Sequence, residues 1–120
     1  MKYVYMLTTG PELPGRCAMP FQLATAAALV GNEATVVLSG TGVSLVEQGV
    51  ADRFLPAPGM PPLRHFIDQA RESGVALLIC SGGLDVTGLK QENLALHLDG
   101  IIGGMTFNEM AAESDVVMVF

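Results

Sequence analysis

Residues Val75–Cys80 read VALLIC, six apolar side chains in succession with no polar residue between them. Successive side chains on a strand point to opposite sides of the sheet, so a strand with one wet face alternates apolar and polar residues. An unbroken apolar run bounded by Gly74 and by Ser81-Gly82-Gly83 therefore fits a strand covered on both faces. Residues 2–8 (KYVYMLT), Ala34–Ser39 (ATVVLS) and Val116–Phe120 (VVMVF) repeat the character, and a shorter strand is predicted over His97–Ile102. Sheets buried on both faces are mostly parallel and need helical crossovers. The fold class that follows is α/β, a three-layer α/β/α sandwich with a mostly parallel five-stranded sheet and VALLIC at its centre.

The segments between these runs supply the crossovers. A first helix is predicted from about Pro20 to Val30, with Phe21, Leu23, Ala24, Ala27, Leu29 and Val30 as apolar positions and Gly31-Asn32 as its end. A short helix over Val43–Gln48 stops at Gly49, and the four prolines of residues 51–62 predict an irregular segment. Pro61–Pro62 then open a helix whose Leu63, Phe66, Ile67 and Ala70 fall at i, i+3, i+4 and i+7. Ser81-Gly82-Gly83 reads as a tight turn into a weakly helical stretch. A last helix is predicted over Thr106–Ser114, with Thr106 as N-cap and Glu109 completing a capping box.

At 120 residues the chain has the length of one domain, 1–120. Half of its residues are apolar and 15% are charged, a low share for a small monomer with much surface to cover. Phe54, Leu55 and Met60 of the proline-rich stretch have no evident core position. Together these features predict a homo-oligomer. A formal charge of −6, with 6 Lys+Arg against 12 Asp+Glu and no basic run, argues against nucleic acid as a partner. No apolar stretch approaches the ~18–20 residues of a membrane span, and the first apolar run is too short for a secretory signal. Two cysteines are too few for a disulfide scaffold and fit a reducing compartment, the cytoplasm.

In sheets of this kind ligands and chemistry sit beyond the carboxyl ends of the strands. Three loops are predicted to converge there, Thr8–Cys17, Ser39–Gly42 and Cys80–Gly83, and they carry the candidate binding residues Thr9, Gly10, Arg16, Gly40, Ser81, Gly82 and Gly83. Cys80 is the candidate nucleophile. The small residues after it let backbone N–H groups turn toward the sulfur, and a helix starting at about Gly83 would favour a thiolate. A cysteine closing an apolar strand is as readily a small buried hydrophobe. Cys17, beside Arg16, reads as a semi-buried residue preceding the first helix.

Other chemistries lack their residues. There is no CxxC, no G-x-S-x-G elbow and no grouping that would join His65 and His97 into a metal site. Gly40-Thr41-Gly42 completes neither a Walker motif nor G-x-G-x-x-G, and it reads as a plain tight turn rather than as an anion cradle at a helix N-terminus. Asp99, Glu109, Glu113 and Asp115 show no paired-carboxylate logic. No cofactor is implied.

In its order of motifs the chain resembles the DsrE/DsrF/TusD family of small sulfur-relay proteins, over nearly its whole length. The first strand ends in Thr8-Thr9-Gly10-Pro11-Glu12, followed by Arg16 and an alanine-rich helix. The second ends in Leu38-Ser39-Gly40-Thr41-Gly42-Val43; Gly49-Val50-Ala51, the Pro56–Pro62 stretch, the strand ending at Cys80 and Gly88-Leu89 complete the pattern. The resemblance implies an α/β/α domain assembling into trimers or hexamers, with sulfur donor and acceptor proteins as partners. It also implies that Cys80 accepts sulfur as a persulfide and passes it on. Some relatives carry a second cysteine where this chain has Gly83, and relatives that transfer sulfur tend to carry basic residues where this chain has Leu84-Asp85-Val86-Thr87. Two other readings remain beside the relay: a non-catalytic module binding a small anion or nucleotide, and a structural subunit of a hetero-oligomer.

Overall fold

In the computed structural model, which describes residues 1–95 and 98–120, one sheet takes the strand order β4-β3-β2-β1-β5 and every neighbouring pair is parallel. The strands are β1 (Lys2–Leu7), β2 (Glu33–Leu38), β3 (Ala76–Cys80), β4 (Gly100–Ile102) and β5 (Val116–Val119). The sheet is therefore wholly parallel, where the sequence predicts a mostly parallel one. The centre belongs to β2, not to the VALLIC strand. β3 lies one place out, flanked by β2 and by the three-residue β4, and that is enough to bury both of its edges. His97, and with it the start of the strand expected over His97–Ile102, lies outside the described residues.

The helices are α1 (Met19–Leu29), α2 (Val50–Arg53), α3 (Leu63–Glu72), α4 (Ser81–Thr87) and α5 (Gly104–Glu113). Stepping β1 to β2 to β3 moves one way across the sheet, so right-handed crossovers put α1 and α3 on the same side. Phe21, Ala24 and Ala27 of α1 and Leu63, Phe66, Ile67 and Ala70 of α3 pack there against Tyr5, Leu7, Val36, Leu38, Leu77 and Ile79. The step from β4 back to β5 runs the other way, so its crossover, α5, lies alone on the opposite side.

That asymmetry shows in the burial. Leu77 and Ile79 on the first face are shut away, while Ala76, Leu78 and Cys80, which alternate with them, remain partly exposed. Register extends this second face into a continuous apolar row of Val119, Met6, Val37 and Leu78, ending at Gly100. One ten-residue helix cannot roof five strands spaced ~4.8 Å apart. Val119 at the open end is 61% exposed, Met105 of α5 is 82% exposed, and α5 itself contains no buried residue.

Several local expectations change. Residues 40–46, expected to hold a turn and the start of a short helix, form one 3-10 helix, Gly40–Val46, whose Gly42, Val43, Leu45 and Val46 are buried. The proline-rich region opens with α2 before it becomes irregular, and Pro62 is the N-cap of α3 rather than part of its first turn. Of the residues with no evident core position, Phe54 and Met60 pack against the core and Leu55 stays half exposed. The last helix starts at Gly104 with Gly103 as its N-cap, two residues before the predicted capping box, so Thr106 lies inside the first turn.

Candidate functional site

The carboxyl ends of β1, β2 and β3 carry the three loops that the sequence singles out, and these loops interlock through glycines. A Cβ on Gly10 would collide with the carbonyl oxygen of Thr41, and one on Gly42 would lie 2.8 Å from the carbonyl oxygen of Leu7. Gly40 sits in the left-handed region at φ +53°, where a side chain is strained, and its Cβ would lie 2.8 Å from the carbonyl oxygen of Thr8. Gly83 is pressed against Val43 and the Gly40 carbonyl oxygen. The loop after β1, the 3-10 helix after β2 and α4 after β3 thus stack backbone to backbone. Gly10, Gly40 and Gly83 face protein at this junction, not an open cradle.

Cys80 closes β3 and is at once the N-cap of α4, with extended backbone angles (φ −86°, ψ 131°). No Ser-Gly-Gly turn intervenes: α4 begins at Ser81, earlier than the sequence predicts, and ends one residue before Gly88, which takes φ +73°. By strand alternation the Cys80 side chain belongs to the half-covered second face, with Leu78 behind it and Ile102 beside it in register. Ser81 and Gly82 are exposed at its flank. Cys80 as a residue is partly exposed, and its sulfur is in no disulfide.

Cys17 is placed in the opposite circumstances. It has no exposed surface, and its thiol donates to the carbonyl oxygens of Gly10 (3.3 Å) and Leu13 (3.6 Å). Burial, with a smaller contribution from the nearby Glu12 charge, pushes this thiol up to about 11. Arg16, at the end of the 3-10 helix Pro14–Arg16, is exposed.

Glu12 is a further residue of this junction, one to which no sequence motif assigns a role. It accepts hydrogen bonds from the Thr41 hydroxyl and from the Gly10 N–H (2.9 Å), and these bonds, led by Thr41, hold its carboxyl below the usual glutamate range. It ties the first loop to the 3-10 helix from outside, as the glycines do from within. The signal available in sequence was faint, one acidic residue in a loop facing a threonine 29 positions on. Thr9 stands at the same junction, its hydroxyl oxygen buried with no hydrogen-bond partner among the described residues.

Elsewhere the molecule offers little chemistry. Among the described residues no three His, Cys, Asp or Glu side chains gather as metal ligands. His65 is exposed and stacks edge-on against Phe66 at 5.3 Å. A cavity of about 130 Å³ lies between α5 and the second face, lined by Lys2, Val4, Glu33, Thr35, Met110 and Glu113. It opens at the amino ends of β1 and β2, away from Cys80. No helix among the described residues is long and apolar enough to cross a membrane.

The chain belongs to the DsrE/DsrF-like family, whose model matches residues 1–120. No curated protein matches it. Among solved structures it is similar to the YchN protein of E. coli, at 14% identity and a TM-score of 0.69, with all of both chains covered. It is equally similar to MTH1491, a protein of unknown function from Methanobacterium thermoautotrophicum, at 14% identity and a TM-score of 0.70 over 98% of this chain and 97% of that one. At this identity the two structures speak for the fold.

Proposed function

We propose that this member of the DsrE/DsrF-like family is a sulfur-relay protein that carries sulfane sulfur on Cys80. The observation that carries the reading is the contrast between its two thiols: Cys17 is sealed and hydrogen-bonded, whereas Cys80 stands partly exposed at the carboxyl end of β3. That end of a parallel sheet is where such folds keep their chemistry.

The transfer balances without a cofactor. The Cys80 thiolate attacks the outer sulfur of a donor persulfide; a new S–S bond forms on Cys80, the donor's S–S bond breaks, and the donor leaves as a thiolate with the electron pair. An acceptor thiolate then attacks the outer sulfur in the same way and restores the Cys80 thiolate. Donor and acceptor are proteins in this reading, and the work is done in the reducing cytoplasm, where both cysteines stay as thiols. The half-covered second face beside Cys80 supports a homo-oligomer, a trimer or hexamer in which neighbouring subunits complete that roof.

Incubation with a persulfide donor followed by intact-mass measurement tests the reading. The wild-type chain should gain about 32 Da, one sulfur; Cys80→Ser should gain nothing and Cys17→Ala should load as wild type. Wild-type protein that stays unloaded while Cys80 remains alkylatable would refute the relay role and leave a binding module or a structural subunit.

A further inference from the structure

We propose that Gly83 is a positioning residue for Cys80: its missing side chain seats α4 on Val43, and that seat sets where the thiol stands. The inference rests on the reading of Cys80 as the functional thiol. Of the seven residues of α4, Gly83 alone is buried. Ser81, Gly82, Asp85 and Val86 are exposed, so the helix holds to the rest of the chain along the side that carries Gly83 and Leu84, the latter packed against the core. On that side, a Cβ at position 83 would collide with Cγ2 of Val43, and would lie 3.2 Å from the Val43 Cβ and 3.1 Å from the Gly40 carbonyl oxygen. Val43 cannot swing clear, because it has no exposed surface and is held in the core by its own 3-10 helix. The Gly40 carbonyl is backbone and yields less still.

Gly83 stands three residues after Cys80, one helical turn on, and the intervening Ser81 and Gly82 are helical. A turn of helix is stiff on this scale, so displacing α4 at its contact point displaces its N-cap by a similar amount. The hydrogen bond from the Thr87 hydroxyl to the Gly83 carbonyl oxygen (2.7 Å) binds the next turn to the same point. Position 83 therefore sets how closely α4 seats on Val43, and Cys80, held on one side by β3 in register with Ile102, is held on the other by that seat.

Three variants test this, read by the rate of Cys80 alkylation across pH, with protection of the buried Cys17 as the check on folding. Gly83→Ala should change the Cys80 rate by at least about fivefold and move its pH midpoint, since misplacing a reacting group by an ångström has effects of this order or larger. Val86→Ala, on the exposed side of the same helix, raises helix propensity without touching Val43 and should leave the rate within about twofold. Gly83→Ala combined with Val43→Ala removes the colliding methyl and leaves only the closer-than-usual approaches to the Gly40 carbonyl oxygen and the residue-43 Cβ, so it should return the profile most of the way to wild type. A wild-type profile in Gly83→Ala overturns the proposal. If Gly83→Ala alone fails to protect Cys17, the double variant decides: restored protection with a restored Cys80 profile supports the seat, and failure to restore both overturns it. Loss of persulfide loading in the wild-type chain would refute the relay reading and leave these alkylation outcomes as they stand.

Discussion

The thiol of Cys17 donates a 3.3 Å hydrogen bond to the carbonyl oxygen of Gly10, which ties the end of the 3-10 helix Pro14–Arg16 back to the start of the loop that follows β1. With no exposed surface and its thiol pushed up to about 11, Cys17 is a structural hydrogen-bond donor and not a second nucleophile. One equivalent of a thiol reagent should therefore label the native protein, and peptide mapping should find it on Cys80. A second equivalent should enter only in denaturant. Native labelling of Cys17 at a rate comparable to Cys80 would contradict the packing.

The same residue makes stability fall on the alkaline side. Its folded-state value lies above the ordinary thiol value of 9.0, so its contribution is complete below about pH 9 and is lost as pH rises toward 11. A shift of this size corresponds to roughly 2–3 kcal/mol at most. Denaturant unfolding from pH 8 to 11 should show the decline in wild type. In Cys17→Ala the curve should be flatter, after an initial loss of about 1–2 kcal/mol for the vacated space and hydrogen bonds.

Glu12 acts at the other end of the scale. The Thr41 hydroxyl and the Gly10 N–H hold its carboxyl below the usual range, so the stability it lends is present above the unfolded glutamate value and is lost as pH falls through the folded one. Because the carboxylate is exposed, the effect belongs to the position of the loop more than to global stability. Carbon-detected titration should find Glu12 titrating below the ordinary glutamate value, and Thr41→Val should raise it toward that value. An unchanged Glu12 titration in Thr41→Val would mean that the hydrogen bond contributes nothing.

How far the sequence carries depends on which interaction decides each feature. VALLIC and its companion strands were legible because two-sided burial removes polar alternation, a signal that survives in one dimension. The centre of the sheet was not, since the β4-to-β5 return is a matter of pairing partners rather than of local pattern. Thr106 and Glu109 have the spacing of a capping box, yet the backbone turns helical at Gly104, where tertiary placement of β4 overrides the local motif. The glycines of the three loops were visible as a cluster. Their contacts were not, because Gly83 meets Val43 and Gly10 meets Thr41 across the fold. Cys80 stands apart from Cys17 in sequence by its place between an apolar strand and small residues, but the full burial of Cys17 and its bond to the Gly10 carbonyl depend on a loop folding back on itself, which no local pattern records.

The glycines at this junction should differ sharply in their tolerance of a methyl group. Gly82, in α4, faces open space, so Gly82→Ala should raise stability by ~0.5–1 kcal/mol through helix propensity. Gly10→Ala drives a Cβ into the Thr41 carbonyl and should cost about 2 kcal/mol or more. Thermal unfolding of the two variants in parallel measures the contrast; equal midpoints would show that the loops do not interlock as closely as the backbone distances require.

The last prediction concerns the second face. Its row from Val119 through Met6 and Val37 to Leu78 crosses the sheet without a charged side chain; Val37 at the middle has no exposed surface, Met6 and Leu78 are partly exposed, and Val119 is 61% exposed. Val117 and Val119 are exposed on this face, and Met105 of α5 projects into solvent. Apolar surface left in water costs about 25 cal/mol per Å², and a stable interface buries roughly 800 Å² on each partner. A face of this breadth next to an edge strand gains most by meeting another copy, which would also wall in Cys80. Light scattering at micromolar concentration should return three or six times the chain mass of 12.6 kDa. Val119→Glu puts a charge at a position already exposed in the single chain, so it should lower the mass to that of one chain while Cys17 stays protected from alkylation. A wild-type mass near 12.6 kDa that does not rise on concentration would refute the oligomer. An oligomer unaffected by Val119→Glu would move the interface elsewhere, with the half-exposed Leu55 of the proline-rich segment the next apolar position to charge.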